Sequence, residues 1–298
     1  MDDVFLGSRA VRAGLVTPYQ LRTAYSSMFP DVYGEAGSVP SLRARTRGAW
    51  LWSRERGVVA GVAAAALHGA DWVDVDEPIE LIWRNTNPPV GVRTRNERIA
   101  DDEIVWRSGI LTTSDARTAF DLGRRRDRFE ALGRLDSLAR ATAFSTAKVS
   151  ALIDRYPGAR GVRQLRELLT LVDRKAASPR ESWLRLKLLD AGFPAIATQI
   201  AVGVDRILVG ILDMGWEEYK VAAEYDGDQH RYDRRQYLRD QRRLPRLQKA
   251  GWIVIRVVAE DRIEDVIAGV DEALRSRGWR PGVEAASNAR GRPSGLVA

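Results

Sequence analysis

The stretch from Asp213 to His230 reads Asp-Met-Gly-Trp-Glu-Glu-Tyr-Lys-Val-Ala-Ala-Glu-Tyr-Asp-Gly-Asp-Gln-His. An apolar core, Val221 to Tyr225, predicts a strand over 219–226, flanked by charged turns. Side chains on a strand alternate faces, so this reading puts Lys220, Ala222, Glu224 and Asp226 on one side. Two carboxylates at i and i+2 lie about 7 Å apart at their Cα atoms. In a mostly apolar strand that pairing is unfavourable, because like charges repel and burial disfavours ionisation. A bridging divalent cation removes both penalties. Asp213 ends the preceding apolar run, and a turn through Gly215 is expected to bring it beside Glu224. Asp213, Glu224 and Asp226 are therefore candidate ligands for Mg²⁺ or Mn²⁺, which prefer oxygen donors. The alternative reading is a solvated hairpin carrying ordinary surface acids.

His230 follows Asp226-Gly227 by a short turn and is one of only two histidines in the chain. Beside the acids it is a candidate general base or water-positioning group; alone it would be a surface loop residue. The following segment, Arg231 to Lys249, holds eight Arg or Lys and two Asp. At 100° per residue, Arg235, Arg239, Arg242, Arg246 and Lys249 fall on one helical stripe suited to phosphate contacts. An ordinary solvated helix face has the same pattern. Asp240, Leu244 and Leu247 fall together, so Asp240 needs a partner such as Arg243. Pro245 predicts a kink or a helix start.

Working outward, Arg180 to Ala191 reads as an amphipathic helix, and Ile253 to Val258 as a strand followed by a helix from Ile263. This is an α/β pattern. Its residues resemble the family called DUF559: Asp213, Glu224-Tyr225-Asp226-Gly227, His230, Asp240, Arg243, Leu247 and Gly251-Trp252 with Val254-Ile255-Arg256. That family is similar to the very-short-patch repair endonucleases of the PD-(D/E)XK nuclease superfamily. The resemblance spans roughly Ser178 to Gly278 and implies a restriction-endonuclease-like core and Mg²⁺-dependent DNA cleavage. It assigns the motif's aspartate to Asp213, its glutamate to Glu224, and a helix-borne helper to Glu181. The superfamily's lysine should stand at position 226, where this chain has Asp226, so the lysine's role must pass to His230, Lys220 or Gln229, or be absent. A histidine near His230 participates in the very-short-patch enzymes.

The first half reads as a mainly helical region. Thr17-Pro18 predicts a helix start, with Leu21, Tyr25 and Met28 following along it. Leu42 to Arg56 predicts a basic helix, and Val58 to Leu67 a buried one. Short strands are expected at Ile79–Trp83, Val90–Arg95 and Ile104–Trp106, then helices from Thr113-Ser114-Asp115 to Leu122 and over 128–142, 145–156 and 162–172. The order of these pieces, with Ala63-Ala64-Ala65-Ala66-Leu67-His68-Gly69 and Ala116-Arg117-Thr118-Ala119-Phe120-Asp121-Leu122, resembles AbiEi-type antitoxins, which are winged-helix regulators. That resemblance, over Val4 to Arg140, implies DNA contacts by Arg43, Arg45 and Arg47. Arg117 and Asp121 are spaced for a helix ion pair.

Ala176-Ala177-Ser178-Pro179 predicts the boundary between a DNA-binding or regulatory region (1–177) and a nuclease-like region (178–279). The Gly, Pro, Ser and Asn in 280–298 predict a disordered tail. Composition agrees with a globular protein: 298 residues, 45% hydrophobic and 29% charged. The net charge of +7 and the excess of arginine make nucleic acid the first partner to consider: DNA, or RNA by the same phosphate contacts. With no cysteine, thiolate metal sites and cysteine nucleophiles are excluded. No Gly-x-x-x-x-Gly-Lys or Gly-x-Ser-x-Gly occurs, which argues against an ATPase or an α/β-hydrolase. An acidic N-terminus without a long apolar run predicts no signal peptide, no membrane span and a cytoplasmic protein. The leading reading is a metal-dependent DNA endonuclease or nickase in repair or defence; the alternative is a non-catalytic antitoxin-like DNA-binding regulator with an inactive nuclease fold, and an RNA-processing enzyme is a third.

Overall fold

The computed structural model describes residues 4–74, 76–85, 87–204, 207–226 and 243–282. They form two compact units, Met1–Arg174 and Lys175–Ala298, divided just before the Ala176–Pro179 stretch.

The first unit opens with β1 (Phe5–Leu6), α1 (Gly7–Arg12), α2 (Pro18–Thr23) and the hairpin β2 (Tyr25–Phe29) and β3 (Val32–Glu35). The three strands form an antiparallel sheet with β3 in the middle. Thr17 caps α2: its hydroxyl accepts from Gln20 N–H, and the Gln20 side chain accepts from Thr17 N–H, with Pro18 at the first helical position. The helix is shorter than its spacing predicts. Tyr25 and Met28 lie in β2 instead, because the aromatics Tyr25 and Phe29 suit a strand once a hairpin partner is available.

Helix α3 (Leu42–Trp52), capped by Ser41, stops before Arg54 and Arg56. Ser53 ends it: its hydroxyl donates to the Trp50 carbonyl at 2.6 Å and accepts from Gly57 N–H at 2.9 Å. The expected helix from Val58 is split. Val58–Ala60 is strand β4, and α4 (Gly61–Leu67) begins only after it. The β-branched pair Val58-Val59 prefers the sheet, and Gly61 makes the switch at φ +61°, where a Cβ would meet the Glu80 carboxylate at 2.9 Å. Strands β5 (Ile79–Ile82), β6 (Val92–Arg95), β7 (Ile104–Arg107) and β8 (Ile110–Thr113) complete a five-stranded mixed sheet ordered β6-β5-β4-β8-β7. Helices α5 (Asp115–Arg125), α6 (Arg128–Thr142), α7 (Thr146–Arg155) and α8 (Val162–Leu169) follow, with α5 packed against the other three.

The second unit runs α9 (Pro179–Asp190), β9 (Ala197–Val204), β10 (Ile207–Trp216), β11 (Val221–Tyr225), a helical segment over 243–249 (α10), β12 (Ile253–Val257) and α11 (Ile263–Ser276). The sheet order is β12-β11-β10-β9. The first three strands are an antiparallel meander, and β12 joins β11 in parallel. Strand β9 is absent from the sequence reading, although its buried Thr198, Ile200 and Val202 alternate with the exposed Ala197, Ala201 and Gly203. Strand β11 is covered on both sides. Val221 and Ala223 pack with Leu184 and Leu188 of α9 and Val270 and Leu274 of α11. Ala222 packs with Leu212, Leu247 and Trp252 on the other side. Full burial of each such leucine favours folding by about 1.5–3 kcal/mol. Residues 280–282 are described, and the rest of the expected tail lies outside the described residues.

Candidate functional site

The acidic residues of the second unit meet through strand register. Met214 pairs with Ala223, Gly215 with Ala222 and Trp216 with Val221. The next residues in that register are Asp213 and Glu224. The turn is over 217–220 rather than at Gly215, which lies inside β10. Gly215 is needed for a different reason: a Cβ there would sit 2.3 Å from the Val221 carbonyl oxygen. At Asp213 the ladder ends, and its carboxylate takes the place of a backbone acceptor, receiving Tyr225 N–H at 3.0 Å.

Burial, first, and then the charges of Glu181 and Glu224 push the Asp213 carboxyl up to about 7; the Tyr225 N–H and Arg243 oppose this. The three acids are thus electrostatically coupled. Glu181, in the first turn of α9, is buried and held from three sides. It accepts from Ala177 N–H at 2.9 Å, the Ser178 hydroxyl at 3.0 Å and the Gln199 side chain at 3.3 Å. Glu224 is buried and paired with both terminal nitrogens of Arg243. One of those nitrogens also donates to the Ile211 carbonyl at 2.5 Å. Arg243 was expected to serve Asp240, and its role as the cation of Glu224 is invisible in sequence because 19 residues separate the two.

Asp226 stands apart. Its carboxylate pairs with Arg256 at 2.5 Å, and its N–H donates to Val257 at 2.8 Å. Lys220 does not share the face expected for it. It precedes β11 with φ +51°, and its ammonium donates to the Ala250 carbonyl at 2.9 Å. Among the described residues, no group of three or more His, Asp or Glu side chains is arranged to hold a metal ion. As a donor set, Glu181, Asp213 and Glu224 are hard oxygens whose mutual repulsion a divalent cation would relieve, provided Arg243 gave up Glu224. His230, Gln229, Arg235, Arg239, Asp240 and Arg242 lie outside the described residues. Arg246 and Lys249 are exposed on α10.

In the first unit, Arg43 and Arg47 are exposed on α3, whereas Arg45 is half-buried and donates to the Glu77 carbonyl at 2.9 Å. His68 ends α4, and its Nε2–H donates to the Thr113 carbonyl at 2.7 Å. Burial holds its pKa below the usual value. The Arg117–Asp121 pair is present at 3.4 Å but belongs to a larger buried network. Arg95 and Arg124 also reach Asp121 at 2.9 Å, and Arg117 reaches Glu103. Burial opposes ionisation of Asp121, yet Arg95, Arg117 and Arg124 outweigh it and keep the carboxyl below its usual range.

Comparison with known proteins gives a family match within the first unit. Residues 58–171 match the family model of the AbiEi antitoxin C-terminal domain, less than half of the chain. Two uncharacterised proteins of Mycobacterium tuberculosis, from strains CDC 1551 / Oshkosh and H37Rv, are each 31% identical over 154 residues. The alignment covers 52% of this chain and 57% of each relative, so the chain spans little more than half the length of the curated relatives it matches. No solved structure matches significantly. No helix among the described residues is long and apolar enough to cross a membrane. Over 58–171, which take in the mixed sheet and helices α4 to α8, the chain is similar to an antitoxin domain.

Proposed function

We propose that this protein is a cytoplasmic, antitoxin-like DNA-binding regulator of a toxin–antitoxin or abortive-infection system. The observation that carries this reading is the match of residues 58–171 to the AbiEi antitoxin C-terminal domain. The segment before it supports DNA contact: two short helices, a β-hairpin and then α3, with Arg43 and Arg47 exposed. A winged-helix reading of that segment and the net charge of +7 point the same way.

A second reading is favoured by one observation, the coupling of Glu181, Asp213 and Glu224 where β10 and β11 part. A helix, an antiparallel meander and a parallel fourth strand surround them. In that reading Asp213 and Glu224 would hold Mg²⁺ or Mn²⁺, with Asp226 joining on release from Arg256. Glu181 would help through its coupling to Asp213. The metal would supply Lewis acidity and an activated water for phosphodiester hydrolysis. The protein's own contribution would be to orient Asp213 through Tyr225 N–H and Glu181 through Ser178 and Gln199.

One experiment separates the two. Full-length protein is mixed with duplex, mismatched, branched and single-stranded DNA, and with RNA, in EDTA, Mg²⁺ or Mn²⁺, and both retention and cutting are read. The regulator reading expects DNA binding in EDTA that weakens with salt, no cutting in any metal, and a salt slope smaller by about 2 in an Arg43→Ala, Arg47→Ala variant. Metal-dependent cutting that disappears in Asp213→Asn and Glu224→Gln would overturn it in favour of the nuclease. Absence of nucleic-acid binding at low salt would overturn both.

A further inference from the structure

A cavity of about 900 Å³ opens in the first unit between α5, the 156–161 connection and the start of α8. Six arginines line it, Arg98, Arg117, Arg124, Arg125, Arg126 and Arg160, against two acids, Glu97 and Asp127. The charge within the wall is overcommitted. The single Glu97 carboxylate receives Arg95 at 3.7 Å, Arg117 at 3.2 Å, Arg124 at 3.0 Å and Arg125 in closer contact still. Arg98 and Arg160 are exposed and have no ion pair among the described residues. Arg124, whose side chain is 5% exposed, has an Nε–H with no acceptor. Burying a charged donor without a partner is costly, so the site calls for an acceptor from outside.

Backbone donors converge on the same wall. Helix α8 starts at Gly161 with no side-chain cap, which leaves its first N–H groups without the usual capping oxygen. Gly161 adopts φ +83° and approaches so closely that a Cβ would fall 1.9 Å from the Arg124 carbonyl oxygen. The side chain of Gln164 braces this turn by donating to the Gly123 and Arg126 carbonyls at 2.8 and 2.9 Å. A helix N-terminus, guanidinium forks and an unpartnered buried donor together make an anion site.

We propose that this cavity binds a phosphate-bearing ligand of nucleotide size, its phosphate held by Arg98, Arg124 and Arg160 at the start of α8. The volume lies in the range of small-ligand pockets and exceeds what inorganic phosphate alone would fill. Convergence of several guanidinium groups selects a multiply charged phosphate over a single carboxylate. The half-buried Tyr156, with the Arg117 guanidinium 5.4 Å from its ring centroid, gives the cavity an aromatic wall. Arg125 is held down to about 10 by burial and by the neighbouring cations Arg95 and Arg93, a repulsion that a bound anion relieves. The same chemistry is offered by a free nucleotide and by a 5′-phosphorylated nucleic-acid end.

Full-length protein would be titrated calorimetrically, and its melting followed, with AMP, ATP, inorganic phosphate, and a trinucleotide carrying either a 5′-phosphate or a 5′-hydroxyl. The exposed pair is replaced as Arg98→Gln, Arg160→Gln, which leaves the buried network intact. Saturable binding of a nucleotide or of the 5′-phosphorylated trinucleotide is expected, weakened about tenfold or more in the double variant, whose ligand-free melting is unchanged. AMP binding without trinucleotide binding assigns the site to a free nucleotide; preference for the 5′-phosphorylated trinucleotide over its 5′-hydroxyl form assigns it to a strand end. Equal affinity in wild type and double variant, or no binding of any phosphate probe at about 1 mM, overturns the proposal.

Discussion

Asp213 carries a strong pH signature. Its folded value of about 7 stands above the ordinary 3.8. Between those values the folded chain holds a proton that the unfolded chain has released, so the contribution to stability is full at low pH and falls away as pH rises through about 7. Asp213→Asn keeps an oxygen for Tyr225 N–H but cannot ionise. The variant should match wild type near pH 4 and exceed it at pH 8 by about 1–3 kcal/mol, read as a higher melting temperature of the second unit. A wild-type profile that stays flat from pH 4 to 8 would refute the coupling of Asp213 with Glu181 and Glu224. That coupling was legible in sequence as two strand positions and one helix position, because strand alternation and a helix cap are local rules. The role of Arg243 was not, because it depends on α10 folding back over β11.

Helix α5 shows how an element can be organised by charge rather than by apolar burial alone. Arg117 is among the largest fully buried side chains, and Asp121 is 1% exposed. Asp121 is shared by three guanidinium groups, so its removal strands several buried cations at once. Asp121→Ala should therefore cost about 3–5 kcal/mol in chemical denaturation, well beyond an exposed helix pair, which contributes only about 0.3–0.5 kcal/mol. A loss no larger than that exposed-pair value would mean that Glu97 and Glu103 suffice as counter-charges. From sequence the pair reads as an ordinary i, i+4 contact, since Glu97, Glu103 and Arg95 arrive from the strand and loop region before the helix. The same distinction runs through the other elements. The Thr17 cap and the start of α5 at Ser114 are local and could be read directly. The strand Val58–Ala60 exists because β5 and β8, distant in sequence, reward it, whereas β9 pairs with the neighbouring β10, Val204 beside Ile207, so its partner and its alternation both lie within one short stretch.

At the scale of the whole chain, each of the two units contains a buried apolar core of its own. Val59, Leu81 and Ile110 belong to one core, and Leu184, Val221 and Val270 to another. A unit that closes its own core needs no partner to fold, and both are long enough to do so. Fragments 1–174 and 175–298 should each unfold cooperatively when made separately, as followed by circular dichroism on heating. A fragment lacking a cooperative transition would show that its core depends on the other unit. If the regulator reading holds, the first fragment alone retains the salt-dependent DNA affinity, because Arg43, Arg47 and the antitoxin-like residues 58–171 all lie within it. Affinity that instead follows 175–298 would move the nucleic-acid contact to α10 and the acids beside it, and with it the weight of argument toward hydrolysis.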